Sequence, residues 1–249
     1  MTKLAQKQAV LIVGGKWHDM DFARVELLKK LIEHQDIKTT VLADYEAPEK
    51  IARADFIITY TCDVTPSSGA TDALKKWLAS GGRWFALHAT NSVIRFLEDG
   101  RVSAPNGAPD FATLLGTHFC AHPPIGPYQV EVADKDHALV AGIEPFVTTD
   151  EHYLLDRHAD FHVLLDSHFE GETPRFERSE WPAARHPVFY LRPYAEGHVL
   201  YLTLGHCRGP YDMAPISNSL GAVARCSWEL EVFHTLLARG IAWAKEARV

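Results

Sequence analysis

The chain has 249 residues, is 47% hydrophobic and 23% charged, and carries a net charge of −7. This length can bury a sizeable core and predicts one domain over residues 1–249, while the acidic balance gives no electrostatic case for nucleic acid or an anionic membrane as a partner. No apolar run approaches the ~20 residues of a spanning helix, and the opening MTKLAQKQAV has no signal-peptide pattern, so we expect a cytoplasmic protein.

Hydrophobic periodicity predicts most of the secondary structure. Short apolar or alternating runs predict strands at 9–14, 37–42, 55–60, 83–87, 128–134, 161–165, 187–192 and 198–204. Helical spacing predicts helices at 20–34, 68–79, 109–116 and 228–244. Asp19 or Asp21 is the expected cap of the first helix, and Ser67 or Ser68 that of the second. The order predicts an α/β fold with a mostly parallel central sheet and helices on both faces.

Histidines follow three of the predicted strands. His18 comes after strand 9–14, His88 directly after strand 83–87, and His206 after strand 198–204. Ligands of open α/β sheets bind outside the carboxyl ends of the strands. We therefore expect these three side chains to face one cleft.

Two further segments carry polar residues. The sequence THFCAH holds His118 and His122, which are four residues apart, but the prolines at 123 and 124 predict a loop there. The sequence DEHY at 150–153 places Asp150 and Glu151 between predicted strands. We assign no role to a further seven histidines, which have the pattern of surface or loop positions: His34, His137, His158, His162, His168, His186 and His198.

The residue types suit two kinds of chemistry. Neutral imidazole and carboxylate bind zinc and similar divalent metals, and they also act as general acids and bases. The spacing does not decide between the two, because no HExxH or HxH helix signature is present. The sequence lacks GxGxxG, GxxxxGK[ST] and GxSxG motifs, so we expect no nucleotide cofactor and no serine elbow. Cys62, Cys120 and Cys207 stay open as nucleophiles, but none follows a strand at an elbow.

Five segments together resemble the ThuA-like family of trehalose-utilisation proteins. They are VLIVGGKWHD, SGGRWFALHATNS, LLGTHFCAHP, DEHY and RHPVFYLRPYAEGHVLYLTLGH, in that order along most of the chain. The resemblance implies a flavodoxin-like, class I glutamine amidotransferase-like three-layer sandwich with a cleft at the strand ends. Amidotransferase relatives carry a nucleophilic cysteine at the elbow, where this chain has His88. Without that thiolate no thioester forms, so we expect no glutaminase activity.

The resemblance also implies the site and a role in carbohydrate catabolism. The catalytic candidates are His18, His88, Asp150, Glu151 and His206. Among these, His88, His206 and Glu151 are candidate ligands of a divalent metal, zinc or manganese. The candidate substrate-binding residues are Trp17, His118, His122 and Tyr153.

Three hypotheses follow. The first is an enzyme that acts on a sugar or keto-sugar, of isomerase, hydrolase or lyase type, with Glu151 as base and His18 orienting the substrate. The second is a non-catalytic sugar- or metal-binding module on an amidotransferase-like scaffold. The third is a cysteine hydrolase. The sequence leaves the substrate and the oligomeric state open, a homo-oligomer included, and the segment 208–226 is a candidate lid.

Overall fold

The computed structural model describes residues 6–214 and 216–246. The strands are β1 (Lys7–Gly15), β2 (Ile37–Leu42), β3 (Phe56–Cys62), β4 (Arg83–Leu87), β5 (Arg95–Phe96), β6 (Val102–Ser103), β7 (Thr117–Ala121), β8 (Gly126–Val132), β9 (Phe146–Asp150), β10 (Leu154–Arg157), β11 (His162–Glu172), β12 (Glu180–Tyr194) and β13 (Gly197–Leu202). The helices are α1 (Met20–Ile32), α2 (Pro48–Ala52), α3 (Ser68–Ala79), α4 (Pro109–Leu115) and α5 (Glu231–Lys245). Short 3₁₀ turns span His88–Asn91 and Cys226–Glu229.

The main sheet has nine strands in the order β2-β1-β3-β4-β13-β12-β11-β8-β9. The pairings from β2 to β13 are parallel, and those from β13 to β9 are antiparallel. The α/β fold is therefore as predicted, but the expectation of a mostly parallel sheet holds for one half only.

The connections explain the two halves. In the parallel half, α1 connects β1 to β2 and α3 connects β3 to β4, as parallel neighbours require crossovers. In the antiparallel half, β12 turns back into β13 through Ala195 and Glu196, with Ala195 at a φ of 48°. A turn this short only joins antiparallel strands.

Helices cover both faces of the parallel half. One apolar core joins α1 and α5 to inward residues of the sheet such as Leu11, Ile58 and Phe85. A second core joins α3 and α4 to residues that alternate with these, such as Ile12 and Trp84. Burial of the sheet on both sides fits its nearly continuous apolar sequence. No helix among the described residues is both long and apolar enough to cross a membrane.

The predicted caps of α1 and α3 are confirmed, whereas α5, predicted from residue 228, begins at Glu231 after a 3₁₀ turn. The Asp19 side chain caps α1 by accepting a hydrogen bond from the backbone N–H of Phe22 at 3.1 Å. Ser67 caps α3 by accepting one from the N–H of Ala70 at 3.2 Å. Each cap satisfies a backbone donor that the first helical turn leaves unpaired.

Several predictions for the middle of the chain are wrong. The first five residues of THFCAH, expected as a loop, form strand β7, which pairs with β10 in a separate two-stranded sheet. The prolines at 123 and 124 follow the end of β7 at Ala121, so they do not interrupt the strand. His186, expected on the surface, is buried within β12. The periodicity also missed α2, β5, β6, β9 and β10, which are too short to show a repeat.

Candidate functional site

The parallel strands bring the three predicted histidines together. His18 follows β1, His88 directly follows β4, and His206 follows β13, and the carboxyl ends of these strands lie at one edge of the sheet. Glu151 joins them from the connection between β9 and β10. One ligand atom from each of the four side chains lies within 4.8 Å of the others, and all four residues are buried. We call these four residues the His/Glu cluster.

The elbow after β4 turns His88 into this cluster. His88 has a φ of 44°, a left-handed conformation that is uncommon for a side-chain-bearing residue. Tyr201 fixes the turn, since its hydroxyl donates to the carbonyl of His88 at 2.7 Å and accepts from the N–H of Asn91 at 3.0 Å. Trp17, next to His18, is also left-handed, with a φ of 72°. Such strained residues often occur at functional sites.

The imidazoles of His18 and His88 face each other through their Nε2 atoms. The Nδ1 of His88 donates to the carbonyl of Thr203 at 2.8 Å, and the Nδ1 of His18 donates to the carbonyl of Lys16 at 3.2 Å. The two Nε2 atoms lie 3.0 Å apart, and in the neutral form of either ring Nε2 is the nitrogen without a proton. Burial lowers the pKa of His18 to about 3, so this ring is neutral at physiological pH.

Glu151 and His206 complete the cluster. Glu151 Oε2 lies 3.5 Å from His88 Nε2, and Oε1 lies 3.2 Å from His206 Nδ1. Burial works to raise the pKa of Glu151, but attraction to the protonated forms of His122 and His206 outweighs burial and places that pKa well below its usual range. Both ring nitrogens of His206 are buried and lack a hydrogen-bond partner in the described part of the chain. The 3.2 Å contact with Glu151 is thus not aligned as a hydrogen bond.

Asp150 is placed to support the cluster. Its Oδ1 accepts from the N–H groups of Glu151 at 2.7 Å and His206 at 3.1 Å. Its Oδ2 accepts from the N–H groups of Gly205 at 3.0 Å and Ser227 at 3.3 Å, and from the hydroxyl of Ser227. Both oxygens are therefore occupied by groups that hold the segments carrying Glu151 and His206.

Three more polar side chains surround the cluster. His122 Nδ1 donates to the carbonyl of Pro123 at 2.7 Å, which leaves Nε2 as an acceptor 3.4 Å from Glu151 Oε1. The Tyr153 hydroxyl is 3.3 Å from His88 Nε2, and burial raises its pKa well above the usual value, so it stays protonated. Arg208 brings a guanidinium nitrogen to 3.7 Å from Glu151 Oε1.

A pocket of about 380 Å³ opens onto this group, and His18, His122, Glu151, Tyr153 and Arg208 contribute to its wall. Most of the remaining lining is apolar. The predicted substrate-binding residue Trp17 lines it too, in edge-to-face contact with Phe96 at 4.9 Å between ring centroids.

His118, predicted as a substrate-binding residue, lies in a different cluster. Its Nδ1 is 2.6 Å from His158 Nε2, and its Nε2 is 3.4 Å from the thiol of Cys120. With Asp156 opposite it on β10, it forms a second group of metal-binding residue types. Arg178 already pairs with Asp156 at 2.7 Å. His122 lies just beyond the last residue of β7, so the alternation of side chains along that strand does not fix the direction of its ring.

The candidate lid, 208–226, forms a loop whose ends are tied together. The N–H of Arg208 donates to the carbonyl of Ala224 at 2.9 Å, and the N–H of Ala224 donates back to Arg208 at 2.9 Å. Met213 of this loop lines the pocket. Pro215 lies outside the described residues. The loop thus borders the pocket at Arg208 and Met213.

The cysteines are poorly suited to nucleophilic attack. Burial raises the thiol pKa of Cys120, Cys207 and Cys226 to about 12, and that of Cys62 well above its usual value. A thiolate is the reactive form, and none of these environments favours it.

Sequence reasoning missed several residues at the site. Arg208 stands two positions after His206, so the strand-end argument that found the histidine also covers it. Phe96 and Phe176, which line the pocket, gave no signal, because each comes from a short irregular segment far along the chain from the histidines.

The fold of the chain is similar to those of several solved structures. The chain resembles a putative ThuA-like protein from Bacteroides uniformis ATCC 8492, with 18% identity, a TM-score of 0.67, and coverage of 98% of this chain and 93% of the other. It also resembles a putative ThuA-like protein from Parabacteroides merdae ATCC 43184, with 15% identity, a TM-score of 0.70, and coverage of 96% of this chain and 90% of the other. A third similar structure is that of a cytoplasmic protein from Salmonella typhimurium LT2, with 13% identity, a TM-score of 0.55, and coverage of 96% of this chain and 100% of the other.

No curated protein matches the chain. A family model, however, spans most of the sequence. The ThuA model, described as trehalose utilisation, matches residues 9–220, which include every member of the His/Glu cluster. The chain therefore belongs to the ThuA family.

Proposed function

We propose that this protein is a metal-dependent enzyme of carbohydrate catabolism that acts on a sugar or keto-sugar. The observation that carries the proposal is His206, whose two ring nitrogens are buried and make no aligned hydrogen bond within the described chain, although Nδ1 lies 3.2 Å from Glu151 Oε1. An imidazole left unsatisfied in this way costs free energy unless something else binds it.

The four cluster residues fit a divalent cation. With both rings in the neutral form that binds a metal, the Nε2 lone pairs of His18 and His88 repel each other at 3.0 Å, and a buried ionised carboxylate needs a positive partner. A cation held by His18, His88, His206 and Glu151 would remove both costs. Imidazole and carboxylate donors suit zinc, and manganese accepts the same set. The hydrogen bonds of Nδ1 to Thr203 and Lys16 orient two of the rings, as the outer partners of metal ligands do.

The remaining residues suit proton transfer beside a carbonyl group. A divalent metal at the cluster would supply Lewis acidity toward a substrate oxygen. His122 presents an unprotonated Nε2 at the pocket wall and acts as the base that takes a proton from the carbon next to the ketone. Tyr153, held protonated, donates a hydrogen bond to the oxygen on which charge develops, and Arg208 adds a positive charge nearby. We assign the base to His122 rather than Glu151, because Glu151 lies among the metal ligands.

The scaffold is proposed to be the flavodoxin-like, amidotransferase-like three-layer sandwich, with a different chemistry at the elbow. His88 occupies the elbow position, so no thioester forms there, and we expect no glutaminase activity. We further propose that the protein acts in the cytoplasm and takes a small sugar-type molecule as its partner.

One observation favours the non-catalytic alternative. All four proposed ligands come from the protein and are buried, as in a closed structural metal site. Against this, His18 and Glu151 also line the pocket. The two functions differ in whether the metal keeps a coordination position open to a small molecule.

Metal analysis tests the proposal. We expect the purified protein to bind one equivalent of zinc or manganese and His206→Ala to lose it. His118→Ala is the matched control and should keep the metal, because Arg178 already neutralises Asp156 in the second cluster. Metal-free wild type or full retention by His206→Ala would refute the metal centre.

Cobalt substitution then separates the enzyme from the structural site. We expect azide to change the visible spectrum of the cobalt protein, which requires an open position, and His88→Ala and His206→Ala to abolish turnover of a keto-sugar. An unresponsive spectrum would favour the closed structural site.

A further inference from the structure

The pocket over the His/Glu cluster has two chemically different parts. Its floor is polar and holds His18, His122, Glu151 and Tyr153. Its outer part is lined by apolar side chains, among them Ile94, Phe96, Val102, Ile125, Phe176 and Met213. The volume of about 380 Å³ lies within the range of roughly 300–1,000 Å³ for sites that take drug-sized ligands. A ligand that fills the pocket therefore meets both environments.

The outer part offers few partners to hydroxyl groups: the buried indole N–H of Trp17 has no hydrogen-bond partner in the described chain, but it is a single donor and accepts nothing. Thr173 lines it, but its hydroxyl already donates to the carbonyl of Arg178 at 2.9 Å and accepts from Trp181 Nε1 at 3.1 Å. Arg175 is exposed at the rim. A second sugar ring placed here would lose water from several hydroxyls and regain few hydrogen bonds. Each unsatisfied polar group is costly, so a disaccharide suits this part poorly.

The aromatic rings instead suit a flat apolar group. Trp17 and Phe96 form one edge-to-face pair at 4.9 Å, and Phe119 and Phe176 form another at 5.7 Å between centroids. The second pair continues toward the cluster, because Phe119 contacts Tyr153 at 4.5 Å. Such rings bind further aromatic or aliphatic groups by apolar burial and edge or offset contacts.

We propose that the substrate is a glycoside with an apolar, aromatic-type aglycone. The sugar ring lies toward the His/Glu cluster, and the aglycone lies against Phe96 and Phe176. This inference rests on the proposed function, since it concerns the same pocket, and it makes an aryl glycoside a better ligand than trehalose.

Calorimetric titration of the 249-residue chain tests this with three probes that differ in what occupies the outer part: phenyl β-D-glucoside, methyl β-D-glucoside and trehalose. We expect the phenyl glucoside to bind about 10-fold or more tightly than either of the others. Equal affinities, tighter binding of trehalose, or no detectable binding of the phenyl glucoside would overturn the proposal.

Substitutions of aromatic residues test which wall of the pocket binds the phenyl group. Phe96 is 39% exposed, so Phe96→Ala should fold, and we expect it to bring the phenyl-to-methyl ratio close to one. Tyr211→Ala is the control, because Tyr211 is a 69% exposed aromatic residue outside the pocket lining. A ratio unchanged in Phe96→Ala would contradict the assignment of the aglycone to this wall.

The same titration on His206→Ala separates this inference from the proposed function. We expect that variant to lose its metal and keep the phenyl preference, because the aromatic wall does not include His206. A phenyl preference in a wild-type protein that binds no metal would refute the metal centre and leave the aglycone site standing.

Discussion

Asp150 gives the sharpest test of how the cluster is built. Asp150→Asn keeps the shape of the side chain but replaces one carboxylate oxygen by an amide NH₂. Oδ1 serves two backbone N–H groups, and Oδ2 serves two more together with the hydroxyl of Ser227. Whichever way the amide turns, at least two buried N–H donors then face another donor.

Each buried donor left without an acceptor costs about 1–3 kcal/mol, so the two together predict a loss of about 2–6 kcal/mol in the free energy of unfolding. The same change loosens the segments that carry Glu151 and His206. Residues that orient metal ligands are worth about 10–100-fold in metal affinity, and we expect a loss in that range.

Urea denaturation and a competitive metal titration measure the two effects. Asp72→Asn is the matched control, because that carboxylate is 65% exposed on α3 and its removal should change stability by less than about 0.5 kcal/mol. If Asp150→Asn were as stable as Asp72→Asn and bound metal equally well, the proposed supporting role of Asp150 would be wrong.

Three further predictions concern stability and reactivity. Burial lowers the pKa of His186 to about 4 from 6.5 in the unfolded chain, so the unfolded state takes up the proton first and stability falls as the pH drops from 6.5 to 4. We expect His186→Gln to remove up to about 3 kcal/mol of that loss in denaturation curves measured across this window, whereas the exposed control His168→Gln keeps most of it, because burial is a larger cause of the lowered pKa than the charge of His168. In thermal melts, Gly240→Ala should destabilise the protein by about 1–3 kcal/mol, because the new Cβ would lie 2.3 Å from the Phe85 ring. Gly69→Ala in α3 is the control and should stabilise the protein by about 0.5–1 kcal/mol, so equal changes in melting temperature for the two variants would contradict the packing at Gly240. Iodoacetamide at neutral pH should leave activity on a keto-sugar unchanged under native conditions. Inactivation in step with thiol labelling would instead support the hypothesis of a cysteine hydrolase.

The sequence was sufficient to predict which histidines converge. His18, His88 and His206 each follow a strand of the parallel half, and the ends of parallel strands share one edge, so chain order alone places them together. Glu151 has no such argument. It follows β9, which lies at the far end of the main sheet; the residue pattern marked it only as a polar residue between predicted strands, and the resemblance of DEHY to the family placed it with the histidines.

Other features depend on which strands pair, and local pattern does not show this. The alternation of β8, β11 and β12 predicts strands without predicting partners, so the antiparallel half was not foreseen. The position of His118 depends on the pairing of β7 with β10, which turns it toward His158 and Cys120. The aromatic wall of the pocket likewise exists only after Phe96 and Phe176 have been brought together by the fold.

The elbow at His88 connects the fold to the chemistry. A left-handed residue costs on the order of 1–3 kcal/mol, and it persists only where the surroundings hold it. Here the Tyr201 hydroxyl bridges the carbonyl of His88 and the N–H of Asn91, and the His88 ring is fixed at Nδ1 by Thr203. Tyr201 and Thr203 lie on or just after β13, the neighbour of β4 in the sheet. The strand that leads to His206 therefore also holds His88 in place, so the relative position of these two proposed ligands is set by strand pairing and not by a flexible loop.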